Sequence, residues 1–598
     1  MDHIADKLNA QLAAQPFSRR TLVKRASMLA LSVPAVSAVL AACGSDDPGE
    51  PSDVADTVDA TPTEGAGITV QQNATATTPA EPSGGATAES TSAAEPTTAA
   101  PDSTASTSAP SGASGGSITV SRQVDSENLD PVIQDGNINI WVFMSIYDQL
   151  VGIDDDGLAL IPRLAESWEV DDDGATYVFN IRSGVQFFDG SDMTVEDIKW
   201  SIERARDTEE SPWTFSLAQV QEITTPDEST VVISLTEPWA PFLPQVAMFN
   251  ASVISKAFAD ENGVGALVDQ TMGTGPFQLS EWRKGEQMTM VKNPNYWEEG
   301  LPLLDEIIWS VVPDGNSQIL QVQGGEIDGI IGQGDVPLNR VPDLGQDENL
   351  QVLTWTSTYN NFIPLNTRNA PLNDVKVRQA LNYATDKEAL IETILFGNAE
   401  VSNSFMPNGA LYWNPDQEGY PFDLERAQEL MAESEHPDGF TLGFLVRAGN
   451  QQQVQIATAL KDMWAGIGVD LDIQQLDQAV VQDLYRSFEF EAILSGWTND
   501  IIDPDQLVSY AIIPETIENY RTGWVNDEAV ELANEGRTTL EDDARREIYH
   551  EIQRIHMEDA PFVYLYVLPY IDVMNQRVQG YFHHPMGPYI FKETTVEE

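Results

Sequence analysis

QVQIATALKDMWAGIGVDLDIQ, residues 453–474, changes its period part-way along. QVQIATALKDMWAGIG has a helical pattern, and Gly466 or Gly468 stops it. From there Val469, Leu471 and Ile473 alternate with polar residues, the two-residue period of a strand. A helix that gives way to a strand across a glycine is a unit of α/β architecture.

The same mixture extends upstream. DVKVRQALNYA, residues 374–384, places Val377, Leu381 and Ala384 on one helical face. In TVEDIKWSIERAR, residues 194–206, Thr194 is the cap and Asp197 stands three residues on. Ile198, Ile202 and Ala205 follow at helical spacing. TYVFNI (176–181) follows the turn residues Asp171 to Gly174, and VQFFDG (185–190) precedes another turn, so both read as strands joined by hairpin turns. The ordered part opens near Ile118. Its 481 residues, 118–598, exceed a usual single domain and predict at least two lobes.

The N-terminal part has another character. SRRTLVKRASMLALSVPAVSAVLAAC, residues 18–43, joins a basic region with paired Arg19 and Arg20 to an apolar, small-residue run. That is the pattern of an export signal, and the paired arginines match the twin-arginine type. Pro34 and the short length argue against a membrane span. Leu40-Ala41-Ala42-Cys43 resembles a bacterial lipobox, and Cys43 is the sole cysteine of the chain, so acylation of Cys43 is expected. Residues 44–117 contain 11 Asp/Glu, no Lys/Arg, and mostly Ser, Thr, Ala, Pro and Gly. Such a segment cannot bury enough to offset the entropy of ordering, and it reads as a disordered stalk. As a flexible coil it would span about 45–50 Å.

Charge excludes one class of partner. The chain carries a formal net charge of −63, and near −66 from Cys43 onward, because residues 1–42 hold five Lys/Arg against two Asp/Glu. Nucleic acid needs clustered Lys/Arg, so it is not a partner.

Catalytic and metal motifs are thin. No phosphate-binding G-x-x-x-x-G-K-[ST] and no C-x-x-C occurs. HEIQRIH puts His556 six residues after His550, off the zincin spacing and on another helix face. His583-His584 is a bare pair, and no Ser, His and acid spacing nominates a triad. No cofactor, metal site or enzymatic activity is expected.

Ordered blocks over nearly all of 118–598 resemble a known family. They are Leu129-Asp130-Pro131, SIYDQLV (145–151), the long block IPRLAESWEVDDDGATYVFNIRSGVQFFDGSDMTVEDIKWSI (161–202), GTGPFQL (273–279) and KNPNYWEEGLPLLDEI (292–307). GGEIDG (324–329), APLNDVKVRQALNYATDKEALI (370–391) and GWTNDIIDPDQL (496–507) follow. Together they resemble the family 5 extracellular solute-binding proteins of ABC importers for peptides, nickel and related ligands. Ala384-Thr385-Asp386-Lys387 departs mildly from the family's AIDR.

The resemblance implies an α/β, two-lobed periplasmic-binding-protein-like fold of the large cluster C type. After the signal (1–42) and the lipid-anchored stalk (43–117), lobe 1 would span 118–355, with an inserted subdomain at about 160–270. Lobe 2 would span 356–560, and 561–598 would return to lobe 1. NNFIPLN and PFVYLYV would form the hinge, and ligand contacts with both lobes would bias closure. The implied role is a monomeric lipoprotein outside the membrane that captures a di- or oligopeptide and hands it to permease and ATPase subunits in separate chains. An oligosaccharide or a nickel chelate fits the same role. A stalk-anchored surface hydrolase is the rival class.

The resemblance also implies site residues. In the peptide-binding members' G-W-x-x-D-x-x-[DE]-P block the first aspartate pairs with the peptide α-amine, and Asp500 stands at that place. Asp500 as a turn residue only is the bland alternative, and Asp503 before Pro504 shapes the turn. Trp497 at the cleft floor, Trp141, Trp413 and Asn361 on the hinge segment are the further candidate ligand contacts. Aromatic residues stack on sugars as well as pack on peptides, so the tryptophans do not choose between ligands.

Overall fold

The computed structural model describes residues 115–171, 174–514 and 521–597. The export segment, Cys43 and the stalk as far as residue 114 lie outside the described residues.

Local sequence rules account for several elements. Helix Gln451–Ala465 starts where the Asn450 side chain accepts the backbone N–H of Gln453. It buries Ile456, Ala457, Leu460 and Trp464, and ends at Gly466. Gly468, at φ +80°, turns the chain into strand Val469–Leu476, a conformation most L-residues avoid. Val469–Leu476 and Ala492–Ile493 flank Phe440–Arg447, all parallel, as expected of strands joined by helical crossovers. Helix Val375–Tyr383 buries Val377 and Leu381 against the same core.

The inserted layer is built the same way. Thr194 and Asp197 exchange hydrogen bonds in a full capping box at the head of helix Val195–Asp207. Such a cap stabilises a helix by about 1 kcal/mol. Ile198, Ile202 and Ala205 face an antiparallel sheet of Ala165–Val170, Thr176–Ile181, Thr230–Leu235 and Val220–Asp227. VQFFDG is not a strand, contrary to the expectation. It makes one isolated bridge, Gln186 to Asp192, and otherwise turns back on itself. Val185, Phe187 and Phe188 are all buried, so the segment is a loop pinned by its side chains.

The first lobe centres on a seven-stranded sheet, in the order Leu350–Trp355, Tyr570–Asn575, Gly329–Ile330, Ser117–Arg122, Glu306–Val311, Gln287–Lys292 and Phe277–Arg283. The first strand opens at Ser117, one residue before Ile118, and runs parallel to its neighbours on both sides. Tyr570–Asn575 joins this sheet antiparallel, between strands that come much earlier in the chain.

The chain crosses out of this sheet after Trp355 and back before Tyr570. Beyond the crossings, Asn360–Pro364 and Phe562–Val567 pair antiparallel, and both are buried along their whole length. The crossings themselves are tied together. Leu568 N–H donates to Tyr359 O at 3.0 Å, and Ser357 Oγ donates to Leu568 O at 2.5 Å. The molecule is therefore α/β and two-lobed, with the inserted layer on the first lobe.

Candidate ligand-binding cleft

The site grows from the carboxyl ends of the second lobe's parallel strands, the place where open α/β sheets hold ligands. After Ala492–Ile493 the chain forms strand Ser495–Trp497, which pairs with Asn360–Pro364, Asn361 opposite Gly496 and Asn360 opposite Trp497. Gly496 permits this approach. A Cβ there would lie 2.8 Å from the Tyr359 ring and 3.0 Å from Asn361 Oδ1.

Residues 498–504 then loop towards the first lobe before helix Asp505–Ile512. Asn137 Nδ2 of the first lobe donates to Thr498 Oγ1 at 3.0 Å. Gln506 holds the turn by both ends of its amide. Its Oε1 accepts the backbone N–H groups of Asp500 (2.9 Å) and Ile501 (3.3 Å), and its Nε2 donates to Asp500 Oδ2 at 2.7 Å. Burial pushes the Asp500 carboxyl up to about 7; the Gln506 hydrogen bond opposes this and the Asp135 charge adds to it. Asp500 has no ion-pair partner among the described residues, and it lines a cavity of about 120 Å³.

Asp503 has a structural place. Its Oδ1 caps the N–H of Asp505 at 3.0 Å, and its carboxylate is bidentate to Arg545 at 2.8 and 2.9 Å. Further contacts join the lobes away from the hinge. The Phe215 and Tyr510 rings meet edge to face at 6.0 Å, Ala240 N–H donates to Arg537 O at 2.8 Å, and the Arg537 guanidinium lies 5.3 Å from the Trp239 ring centre. The lobes are closed on each other.

The other candidates divide. Trp497 is half-buried with its ring edge-on to Tyr510 at 5.4 Å, three residues from Asp500. Asn361 is buried beside Gly496 and donates Nδ2 to Tyr359 O at 3.3 Å. Trp141 is a correction. It is 2% exposed and walled by Tyr570, His583 and Tyr589 at 5.1–5.6 Å, so its faces are taken up by the first lobe's core rather than turned to a ligand. Trp413 packs, half-buried, against the helical cluster of the second lobe and does not line the Asp500 cavity. The histidines have protein partners: His556 Nδ1 meets Tyr564 Oη at 2.7 Å, and His583 Nδ1 meets Asp572 Oδ2 at 2.8 Å. Among the described residues no group of three or more His, Cys, Asp or Glu is placed to hold a metal.

One residue escaped the sequence reading. Arg447 ends strand Phe440–Arg447, at the same carboxyl edge as the Asp500 loop. Its Nε is buried and makes no hydrogen bond within the protein, and its charge reaches Tyr359, which packs on Gly496. The signal was its isolation: no other Lys or Arg occurs between Arg426 and Lys461 in a strongly acidic chain.

Two lobes with a carboxylate that lacks an ion-pair partner at the carboxyl edge of one of them form an arrangement suited to holding a solute. The family model of bacterial extracellular solute-binding proteins, family 5 Middle, matches residues 159–515, and the chain belongs to that family. It is a non-enzymatic receptor that works outside the cytoplasm. The probable D,D-dipeptide-binding periplasmic protein DdpA of Escherichia coli is 27% identical over 492 residues, 80% of this chain and 94% of the relative. Heme-binding protein A of Haemophilus influenzae is 29% identical over 485 residues, 76% of this chain and 87% of the relative. Among solved structures, the ABC transporter-associated periplasmic binding protein DppA of Helicobacter pylori, in complex with peptide STSA, superposes with a TM-score of 0.71 at 25% identity. That match covers 81% of this chain and 99% of the other.

Proposed function

We propose that the protein captures a short peptide by its charged ends and delivers it to the permease and ATPase of an ABC importer. The observation that carries this reading is Asp500, a carboxylate turned into a cavity with an amide for a partner and no cation. A buried charge without a counter-charge is costly, and a peptide α-ammonium supplies one with a charge-assisted hydrogen bond. Arg447 is the complementary pole, a guanidinium at the same strand edge with capacity for the peptide carboxylate. Trp497 and Asn361, on the paired strands beside the Asp500 loop, are the proposed floor of the cleft. The chain passes between the lobes twice, after Trp355 and again before Tyr570.

Calorimetric titration of one dipeptide in free, N-acetylated and C-amidated forms tests this. Acetylation is expected to weaken binding at least tenfold and amidation to weaken it too. Equal affinity for the free and acetylated forms would remove the amine anchor and turn the search to a sugar or a chelated metal.

The receptor is tethered by acylated Cys43 and acts as a monomer. One acyl chain anchors only marginally, so at least two are expected on the mature N-terminus. Cys43→Ser should shift the protein from the membrane to the soluble fraction on cell fractionation. A variant that still sediments with membranes would end the lipobox reading.

A further inference from the structure

We propose that the captured amine sits on a carbon bearing a medium-sized apolar side chain, and that this side chain fills the chamber behind Asp500. The inference rests on the amine-anchor reading above. It adds which first residue the receptor selects.

The chamber of about 120 Å³ is enclosed by segments that are far apart in sequence. Ile140, Met144, Ala247, Met248, Phe249 and Met586 form its apolar walls. Charged groups also reach it, but the two cations among them are paired with carboxylates of the protein, and of the Arg163 guanidinium only Nε is left without a hydrogen bond. Arg163 is bound to Asp148 at 2.8 Å and Glu298 at 3.3 Å. Lys592 is bound to Glu298 at 2.7 Å. His584 donates Nε2–H to Asp154 O at 2.8 Å and accepts the Met586 N–H on Nδ1 at 3.2 Å, which fixes the neutral ring, and burial lowers its proton affinity further. Asp155 lies at the exposed rim. Among the described lining residues, Asp500 is the one inward charge with no cation beside it.

An apolar room with one uncompensated carboxylate at its edge takes one positive charge and a hydrocarbon body. Cavities of about 150 Å³ with aliphatic walls admit a benzene ring. About 120 Å³ therefore suits a leucine, isoleucine or methionine side chain and is too small for an indole. Three methionines in the wall adapt to shape, so the selection among such side chains is broad. An acidic side chain would add a third negative charge to Asp500 and Asp135.

The test titrates the full-length protein with Leu-Ala, Met-Ala, Gly-Ala, Glu-Ala, Trp-Ala, Ala-Leu and N-acetyl-Leu-Ala. Leu-Ala and Met-Ala are expected to bind at least about tenfold tighter than Gly-Ala, the worth of burying one such side chain. Leu-Ala should also exceed Ala-Leu, Trp-Ala and Glu-Ala. If Gly-Ala binds within twofold of Leu-Ala while N-acetyl-Leu-Ala binds poorly, the chamber proposal falls and the amine anchor stands. If N-acetyl-Leu-Ala binds as tightly as Leu-Ala, both fall.

Discussion

Asp500→Asn is expected to weaken binding of a free-amine dipeptide by about 2–5 kcal/mol, the range for truncating one partner of a buried charge pair. Asparagine keeps the size of the side chain and the acceptor that Gln506 Nε2 reaches at 2.7 Å, so the turn survives and the charge alone is removed. Circular dichroism and melting should confirm that the fold is intact. A loss below about 1 kcal/mol would class Asp500 with exposed ion pairs and leave it a turn residue.

The pH dependence provides a second check on the same residue. In the free protein, burial pushes the Asp500 carboxyl up to about 7, with Asp135 adding to the shift and Tyr510 and Tyr570 also within reach of its charge. An ammonium binds the ionised form. Below about 7 the free carboxyl is largely neutral and must lose its proton on binding, so affinity should rise towards tenfold per pH unit from about 5.5 to 7. Above about 8 the peptide amine itself loses its proton and affinity should fall again. The acid limb should vanish in Asp500→Asn. Stability of the free protein runs the other way. The folded carboxyl binds its proton more tightly than the unfolded one, so its contribution is fully present below about 4 and is lost as pH rises through about 7. The ligand-free Asn variant should therefore lose less stability than wild type over that interval.

Local chemistry made part of this molecule legible. The Thr194–Asp197 capping box, helix Gln451–Ala465 and the strand after Gly468 depend on near neighbours, and the sequence pattern determines them. VQFFDG misled because alternation reports burial on one side, and a pinned loop buries residues too. The block marks Asp500 as a candidate only, and the hydrogen bonds of Gln506, inside the same quoted stretch, leave no sequence pattern because its amide acts only once the turn closes. Trp141 carried the right residue type for a binding floor. Which way it faces depends on Tyr570, His583 and Tyr589, more than 400 residues on. The chamber is the extreme case: segments near 140, 248, 500 and 586 make it, and no periodicity links them.

The fold beneath the site should be as sensitive as the site. Arg545→Met is expected to destabilise the second lobe by about 3–5 kcal/mol, the cost of leaving one member of a buried ion pair alone. The Arg545 side chain is 6% exposed and that of Asp503 only 1%. Besides its bidentate contact with Asp503, Arg545 donates Nε–H to Gly536 O at 2.9 Å and an Nη–H to Tyr549 Oη at 3.0 Å. Methionine matches the length and fills the space, so the loss isolates charge and hydrogen bonds from packing. Burial alone would lower the Arg545 proton affinity, but Asp503 raises it above the ordinary value. Its contribution is thus complete below the ordinary arginine value and is not lost with rising pH in any usable range. The defect should then be equally large at pH 6 and pH 9. Asp503→Asn/Arg545→Met, which keeps an acceptor for the Asp505 N–H and removes both charges, should recover part of the stability. A single variant that melts within two degrees of wild type would show that the pair contributes little. Asp503 stands three residues from Asp500 and starts the helix that carries Gln506, so the single variant should also bind the dipeptide more weakly at temperatures where it is still folded. The charge that holds the turn from behind and the charge that meets the ligand in front act on one seven-residue segment, 500–506.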